Sequence, residues 1–386
     1  MNVVYFDNSA TTKIKVDVLN EMMPFLTTEY GNASSMYSIG RRAKKAIENA
    51  RKQVAELLNC NSYEIFFTSG GSESDNLALK GFAYENRMKG NHIITSKIEH
   101  PAILETCKTL EKQGFEVSYI NVNEDGIIKL EELQKNIKPS TILISVMTAN
   151  NEIGTIQPIE QIAQIAHSHN IIFHTDAVQA IGNMPIDVMK MNIDMLSLSG
   201  HKIGAPKGIG ALYKKEGIKL EKIIDGGHQE KSQRAGTENV AGIVGLGKAC
   251  EIANKNLDTH IKNLTKLRNY YINSLKKELP NIIKINGTMQ NRLPGNANVS
   301  FEGIDSSKLI FELDAKGICV SSGSACSSGN TEPSHVLKAI NLPEKYLNST
   351  IRTTFGDNNT FEQIDYLINC LKIIIKQANK NTSSLT

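Results

Sequence analysis

The sequence predicts an α/β fold in which a mostly parallel β-sheet is flanked by helices. Two observations favour this fold: short apolar runs such as residues 142–147 recur along the first two hundred or so residues, and helical segments separate them. Strands that lack an apolar–polar alternation are buried on both faces, which is typical of parallel sheets covered by helices. We expect residues 15–257 to form this large domain, and residues 1–14 with 258–386 to form a smaller α+β domain.

The elements of the large domain follow from the hydrophobic period. Residues 1–14 are predicted to be an extended arm, and apolar positions in residues 16–23 and 43–58 recur at helical spacing. Beyond them we predict, in chain order, strand 65–68, helix 75–87, strand 92–95, helix 102–113, strand 117–120, helix 130–136, strand 142–147, helix 159–169, strand 171–173, strand 194–198 and strand 210–213. Ligands of such sheets bind at the carboxyl ends of the strands.

The smaller domain is predicted from a change of pattern after the last of these strands. A long helix is expected over residues 259–279, followed by strands at 298–301 and 318–320. A further strand is expected around Arg352.

Composition excludes several classes of protein. The chain has 386 residues, is 40% hydrophobic and 22% charged, and has a formal net charge of +3, so it makes no case for nucleic-acid binding. Its six cysteines form no CxxC pair, which argues against a disulfide framework or a zinc ribbon. No signal-peptide pattern and no apolar run of membrane-spanning length is present. We therefore expect a reduced, cytoplasmic protein that binds neither nucleic acid nor membrane.

Lys202 is the first candidate for chemistry. It follows the predicted strand 194–198 in a turn that also contains Ser199, Gly200 and His201. A lone lysine after a strand is usually a solvated charge, but a hydroxyl, a glycine and an imidazole crowd this one. We hypothesise a Schiff-base lysine that holds pyridoxal phosphate.

Such a cofactor needs a phosphate site, a stacking group and a partner for its ring nitrogen. Gly71 and Ser72 open a helix, where free N–H groups favour an anion, although a plain helix cap would read the same. His100 follows a strand end and could stack or move protons, or be a surface histidine. Asp176 ends a buried strand and could pair with a pyridinium, with Gln179 on a ring oxygen, or cap a helix.

Three further polar sites accompany these. Asn151 lies in an Asn/Gly segment after the strand 142–147 and could contact a ligand or form a simple turn. Thr237 lies in a Gly/Thr-rich stretch with Arg234, which is either a second phosphate contact or a polar helix entry. Arg352 suits bidentate capture of a substrate carboxylate, with a structural ion pair as the alternative.

Cys326 is the most informative cysteine. Small polar residues surround it over residues 321–329, whereas Cys319 lies in an apolar run. An exposed thiol in a loop can form the reactive thiolate. We therefore interpret Cys326 as a nucleophile, against the alternative of an incidental exposed thiol.

Together these residues resemble the pyridoxal-phosphate cysteine desulfurases of the iron–sulfur cluster assembly type, in the class-V aminotransferase group of fold type I. The resemblance covers nearly the whole chain. It is carried by YFDNSATT at 5–12, TSGGSESDN at 68–76, EH at 99–100, NNEIG at 150–154, DAVQ at 176–179, SGHK at 199–202, RAGT at 234–237 and SSGSAC at 321–326.

The resemblance implies a role for each matching residue. Lys202 binds the cofactor covalently, Asp176 pairs with its ring nitrogen, Gln179 contacts its hydroxyl and His100 stacks on its ring. Phosphate contacts are implied for Gly71, Ser72, Ser199 and His201, and for Thr237 across a homodimer interface. Asn151 is implied to contact the cofactor and substrate, and Arg352 the substrate carboxylate.

The activity implied is conversion of L-cysteine to L-alanine, with a persulfide formed on Cys326 and its sulfur passed to an acceptor such as an iron–sulfur scaffold protein. A selenocysteine lyase or another class-V aminotransferase-like enzyme shares the lysine, the aspartate and the fold, although a transaminase needs no thiol. The chain could also be a sulfur donor that turns over only with its acceptor.

Overall fold

The computed structural model describes residues 3–322 and 333–383. Its strands are β1 (Val4–Tyr5), β2 (Ile65–Thr68), β3 (His92–Ser96), β4 (Glu116–Ile120), β5 (Thr141–Ser145), β6 (Ile172–Asp176), β7 (Met195–Ser199), β8 (Gly210–Lys214), β9 (Ile283–Ile285), β10 (Asn296–Phe301), β11 (Ile318–Cys319) and β12 (Thr350–Thr354). Its α-helices are α1 (Val16–Thr27), α2 (Ser38–Leu58), α3 (Gly71–Asn76), α4 (Phe82–Glu85), α5 (Pro101–Lys112), α6 (Leu130–Lys135), α7 (Ile159–Ser168), α8 (Val240–Glu278), α9 (Ser306–Asp314), α10 (His335–Ala339), α11 (Glu344–Leu347) and α12 (Phe361–Ser383).

Seven strands form the central sheet, in the order β2-β8-β7-β6-β5-β3-β4. All pairs from β4 through β3, β5 and β6 to β7 are parallel, and β8 runs antiparallel to both of its neighbours. The predicted α/β fold with a mostly parallel sheet is confirmed. The carboxyl ends of β3, β5, β6 and β7 consequently lie along one edge.

The sheet is buried on both faces. Ile144 and Phe173 belong to a core that includes residues of α2, α7 and the first half of α8. Leu143 and Met195 belong to a second core with α5. Successive side chains of a strand point to opposite faces, so strands that must fill two cores read as continuous apolar runs.

A further core lies outside the central sheet. It is built from the antiparallel strands β9, β10 and β12, the second half of α8, α9 and α12. Phe6 of the N-terminal arm packs here against Phe355, with ring centroids 5.4 Å apart. β1 pairs in parallel with β11, so the arm is fastened beside the strand that leads toward Cys326.

Two predicted helix starts were wrong. α8 begins at Val240, well before residue 259, because glycines in its first half hid the helical pattern. A Cβ on Gly245 would lie 2.6 Å from Met22 Sδ, and one on Gly247 would lie 2.6 Å from the Ala50 Cα. These glycines let α8 approach α1 and α2 closely.

The helix predicted over residues 75–87 begins earlier, at Gly71, and contains a π-helical turn (Leu77–Gly81) between α3 and α4. The Gly71–Ser72 pair therefore forms its first turn.

α8 passes through the predicted boundary at residue 257 without a break, so the division into two domains stays a prediction. Within the residues that the structure describes, no helix combines the length and apolarity needed to cross a membrane.

Candidate active site

Three predicted residues meet at the carboxyl edge of the sheet. His100 follows β3, Asp176 is the last residue of β6, and Lys202 ends a short 3₁₀ turn directly after β7. Burial raises the pKa of Asp176, and His100 and Lys202 both act to lower it, so the carboxylate lies in the field of both groups. The order of the parallel strands brings these side chains together although 102 positions separate His100 from Lys202.

Asp176 and His100 each have a defined orientation. Asp176 Oδ1 accepts the N–H of Val178 at 2.9 Å. His100 caps α5, where its Nδ1 accepts the N–H of Ala102 at 3.1 Å. Burial lowers the pKa of His100, so the ring is neutral and carries its proton on Nε2. It is His100, and not Asp176, that serves as a helix cap.

The amine of Lys202 and the amide of Gln179 converge on the N-terminal arm. Gln179 Nε2 donates to the Ser9 carbonyl at 3.0 Å, and Lys202 Nζ donates to the carbonyls of Ser9 and Ala10. The two predicted cofactor contacts therefore share one acceptor. Sequence reasoning missed the carbonyls of Ser9 and Ala10 as part of this site.

The arm is fastened to the turn that carries Lys202. The N–H and hydroxyl of Thr12 both donate to the His201 carbonyl, at 2.9 and 2.8 Å, and the Thr12 hydroxyl accepts the N–H of Gly204. His201 Nδ1 lies 3.1 Å from Thr11 Oγ1. Burial, assisted by Lys202, lowers the pKa of His201 to about 4, so this ring is neutral and acts by hydrogen bonding.

An anion cradle lies beside this turn. It is formed by Gly71 and Ser72 at the N-terminus of α3, which is called the cradle helix below. The first backbone hydrogen bond of this helix runs from Ser74 N–H to the Gly70 carbonyl at 3.1 Å, so the N–H groups of Gly71 and Ser72 are available for an anion. A Cβ on Gly71 would lie 2.6 Å from Val178 Cγ2 and 3.6 Å from Ser199 Cβ. A Cβ there would clash with Val178, and Ser199 lies next to Gly71.

Arg352 lies on β12 with a side chain that is 3% exposed. Its Nη2 donates to Asp7 Oδ1 at 2.7 Å, and its Nη1 donates to the Asn151 carbonyl at 3.1 Å. The ion pair that was the alternative interpretation is thus present. The bond from Nη1 brings Asn151 and Arg352 together. A substrate carboxylate bound by Arg352 would share the guanidinium with Asp7.

Two buried acids near Asp176 were not predicted. The Glu99 carboxylate accepts the Ser96 hydroxyl at 2.5 Å and the Met147 N–H at 3.0 Å, and burial raises its pKa to about 8. Asp75 lies 3.9 Å from His174 Nε2, and burial and the nearby Asp176 raise its pKa well above the ordinary range. Burial raises the pKa of all three acids, and His100 and Lys202 act to lower that of Asp176 alone.

The remaining predicted residues are separate from this cluster. Thr237 is exposed on the loop before α8. Cys326 lies outside the described residues. Ser321, five residues before it, exchanges backbone hydrogen bonds with Arg352, so the segment that carries Cys326 starts beside Arg352.

The arrangement can perform a definite set of tasks. It offers a half-buried amine, a carboxylate for a cationic ring nitrogen, a neutral imidazole and a helix N-terminus for an anion. Each task matches one part of a phosphorylated, nitrogen-containing aromatic aldehyde.

Comparison with known proteins agrees with this arrangement. The aminotransferase class-V family model matches residues 4–367. Two relatives named cysteine desulfurase IscS are 52% identical (Clostridium botulinum strain Hall, 97% of this chain and 94% of that protein) and 51% identical (Methanosarcina thermophila, 99% and 94%). A solved NifS-like protein superposes with a TM-score of 0.92 at 39% identity, over 97% of this chain and all of that chain.

Proposed function

The chain belongs to the class-V aminotransferase family and is a pyridoxal-phosphate-dependent cysteine desulfurase, and from that premise we propose the roles of its site residues and the route of its sulfur. The convergence of His100, Asp176 and Lys202 at one sheet edge carries this proposal. The cradle at Gly71 supports it further, because a Cβ there would lie 2.6 Å from Val178 Cγ2, so the backbone stays bare where an anion would bind.

The described residues fit the cofactor. Its aldehyde would bond to Lys202 Nζ, its ring nitrogen would lie at Asp176, and its phosphate would lie at Gly71, Ser72, Ser199 and His201. Gln179 would turn its amide from Ser9 to the ring hydroxyl. When bound, pyridoxal phosphate supplies an electron-withdrawing ring that weakens the bonds to the substrate Cα.

Lys202 is the proposed proton carrier at the substrate Cα, because its amine lies in the field of Asp176 and would be freed when the substrate amine takes its place. His100, neutral and with its proton on Nε2, stacks and donates that proton where charge develops. Asp176 would stay ionised opposite a protonated ring nitrogen, while burial raises the pKa of the neighbouring Glu99 to about 8. Fixed placement of these groups contributes through orientation.

Cys326 is the proposed nucleophile. Its thiolate attacks the sulfur of L-cysteine, so that an S–S bond forms as the substrate C–S bond breaks. The electron pair of that bond stays with the substrate carbon, which takes up a proton and leaves as L-alanine. A persulfide remains on Cys326.

Purified protein supplied with pyridoxal phosphate should form L-alanine and transferable sulfur from L-cysteine in equal amounts. Alanine assay combined with sulfide assay under reducing conditions measures both products. A keto acid in place of alanine would identify a transaminase. Preference for L-selenocysteine by a large factor in kcat/KM would identify a selenocysteine lyase.

Arg352 is the proposed ligand of the substrate carboxylate. We expect Arg352→Lys to raise the KM for L-cysteine about 10- to 100-fold with a smaller effect on kcat, because the charge stays but the bidentate fork is lost. Steady-state kinetics measure the split. Cysteamine, which lacks the carboxylate, serves as the control ligand and should inhibit both enzymes equally. Equal KM values would contradict this role for Arg352.

A homodimer completes the proposal. One face of α1 presents an exposed apolar stripe with helical spacing, made of Val16, Leu19, Met23 and Leu26. We propose that a second copy of the chain covers it and that Thr237 reaches the partner's phosphate site. A mass in solution of twice that of the chain would support the dimer, and a monomer would contradict it.

We further propose that the enzyme acts in the cytoplasm and passes its sulfur to a protein acceptor such as an iron–sulfur scaffold. The relatives named IscS support this destination. Alanine formation that rises when an acceptor protein is added would favour a sulfur donor that depends on its partner. A rate of alanine formation that no added acceptor protein changes would contradict that dependence on a partner.

A further inference from the structure

The loop between β8 and α8 contains an unusual backbone turn. Glu230, Lys231 and Ser232 have φ values of 46°, 57° and 66°. Each of these φ values lies in the left-handed region, which residues other than glycine occupy at a steric cost. Three such residues in succession persist only where the surrounding structure fixes them. The same loop carries Arg234 and Thr237.

A buried ion pair fixes the turn. Glu230 Oε1 and Oε2 accept hydrogen bonds from Arg51 Nη2 and Nη1 at 2.8 and 2.7 Å, and both side chains are 4% exposed. The Arg51 guanidinium also lies over the ring of Phe67 at 4.7 Å. Breaking a buried pair of this kind by removing one partner leaves an uncompensated charge.

The pair also completes the outer edge of the sheet. β2 is an edge strand, and its outward groups have no strand beside them. Glu230 Oε2 accepts the N–H of Phe67 at 2.8 Å, and Arg51 Nη1 donates to the Ile65 carbonyl at 2.8 Å. Arg51 and Glu230 thus bond to β2 as a neighbouring strand would. β2 leads directly into Gly71 and Ser72.

A second tie joins the loop to the cradle helix. Arg234 Nε donates to Glu73 Oε1 at 2.8 Å, and Glu73 Oε2 accepts the N–H of Ser69 at 2.8 Å. Burial opposes ionisation of Glu73, but the bonds from Arg234 and Ser69 lower its pKa overall. The loop is therefore attached both to the strand before the cradle and to the first turn of the cradle helix.

We propose that Arg51 and Glu230 are positioning residues that hold the turn at 230–232 in its left-handed form, and so keep β2 and the Gly71–Ser72 cradle in place for retention of the phosphorylated cofactor. This rests on the proposed function, because it assigns the cradle to the cofactor phosphate. Neither residue touches the cofactor. Their effect is exerted through the backbone.

The test compares Lys231→Gly with Lys231→Pro. Both variants lose the lysine side chain, which donates to the Tyr63 carbonyl, but only glycine can adopt a positive φ. Proline also excludes the helical regions for Glu230 before it. We expect the dissociation constant for pyridoxal phosphate to rise about tenfold or more in Lys231→Pro and to stay within about twofold of the wild type in Lys231→Gly.

A second readout needs no cofactor. The amide of Phe67 is bonded to Glu230, so its hydrogen exchange in cofactor-free protein should quicken in Lys231→Pro and in Glu230→Ala but not in Lys231→Gly. Glu221→Ala, an exposed glutamate in the same connection, is the matched control. If Glu230→Ala does not fold, the two Lys231 variants still decide the matter.

Equal dissociation constants for Lys231→Gly and Lys231→Pro would overturn the proposal. Unchanged exchange of the Phe67 amide in Lys231→Pro would overturn it as well. Wild-type protein that does not bind pyridoxal phosphate at all would overturn the proposed function together with this inference, so the two failures are distinguishable.

Discussion

Replacing Lys202 with alanine is expected to abolish both the visible absorbance of the bound cofactor and the formation of alanine from cysteine. The side chain is the amine at the carboxyl edge that lies in the field of Asp176, so its removal deletes the covalent attachment and the proton carrier together. We expect alanine formation to fall roughly 10³-fold or more. Absorbance spectra after dialysis and alanine assays measure the two losses separately.

Two further variants make this test specific. Lys202→Arg keeps the positive charge but lacks a nucleophilic amine, so it should fail as fully as alanine does. Lys97→Ala is the matched control, because Lys97 also follows a parallel strand, β3, yet is exposed and donates to Asn121. A Lys202→Ala enzyme that kept its colour after dialysis, or retained most of its turnover, would contradict the assignment.

The fold could be predicted because its cause is local. Strands buried on both faces are mostly apolar, and that pattern was visible for β2 and β5 before any contact was known. The start of α8 could not be predicted, because Gly245 and Gly247 are selected by close approach of Met22 and Ala50, which is a tertiary effect. Local propensity argues against a helix there.

Site residues that follow strand ends could be predicted by the same logic. The edge rule for parallel sheets placed His100, Asp176 and Lys202 together without knowledge of side-chain contacts. The contributions of the arm could not be predicted, because Ser9 and Ala10 act through backbone carbonyls that have no residue signature. They reach Lys202 across more than 190 positions of sequence.

The acids Asp75 and Glu99 were missed for a different reason. In the sequence they look like ordinary helix and loop carboxylates, and only their burial beside Asp176 gives them a role. Glu99 directly precedes His100, so its place after a strand was an available signal. Each of the two is buried and is repelled by the charge of Asp176, and both effects raise its pKa.

Replacing Cys326 with serine or alanine is expected to leave the bound cofactor and its spectrum unchanged and to lower sulfur transfer roughly 10²-fold or more. The physical reason is a separation of tasks, since the described cluster of Asp176, Lys202 and the cradle contains no thiol. Wild-type enzyme exposed to L-cysteine should gain the mass of one sulfur atom, and the variant should not. Mass spectrometry of the intact protein measures this directly.

Cys319→Ala is the matched control for that variant. Cys319 is the last residue of β11 and precedes Cys326 by seven positions. Burial, together with the nearby Asp314 and Asp7, raises the pKa of the Cys319 thiol, which disfavours the thiolate. Its loss should therefore leave sulfur transfer unchanged. Sulfur gained at Cys319, or full transfer by Cys326→Ala, would move the nucleophile elsewhere. Ser321 exchanges backbone hydrogen bonds with Arg352, so the last described residues before Cys326 lie beside the proposed carboxylate site.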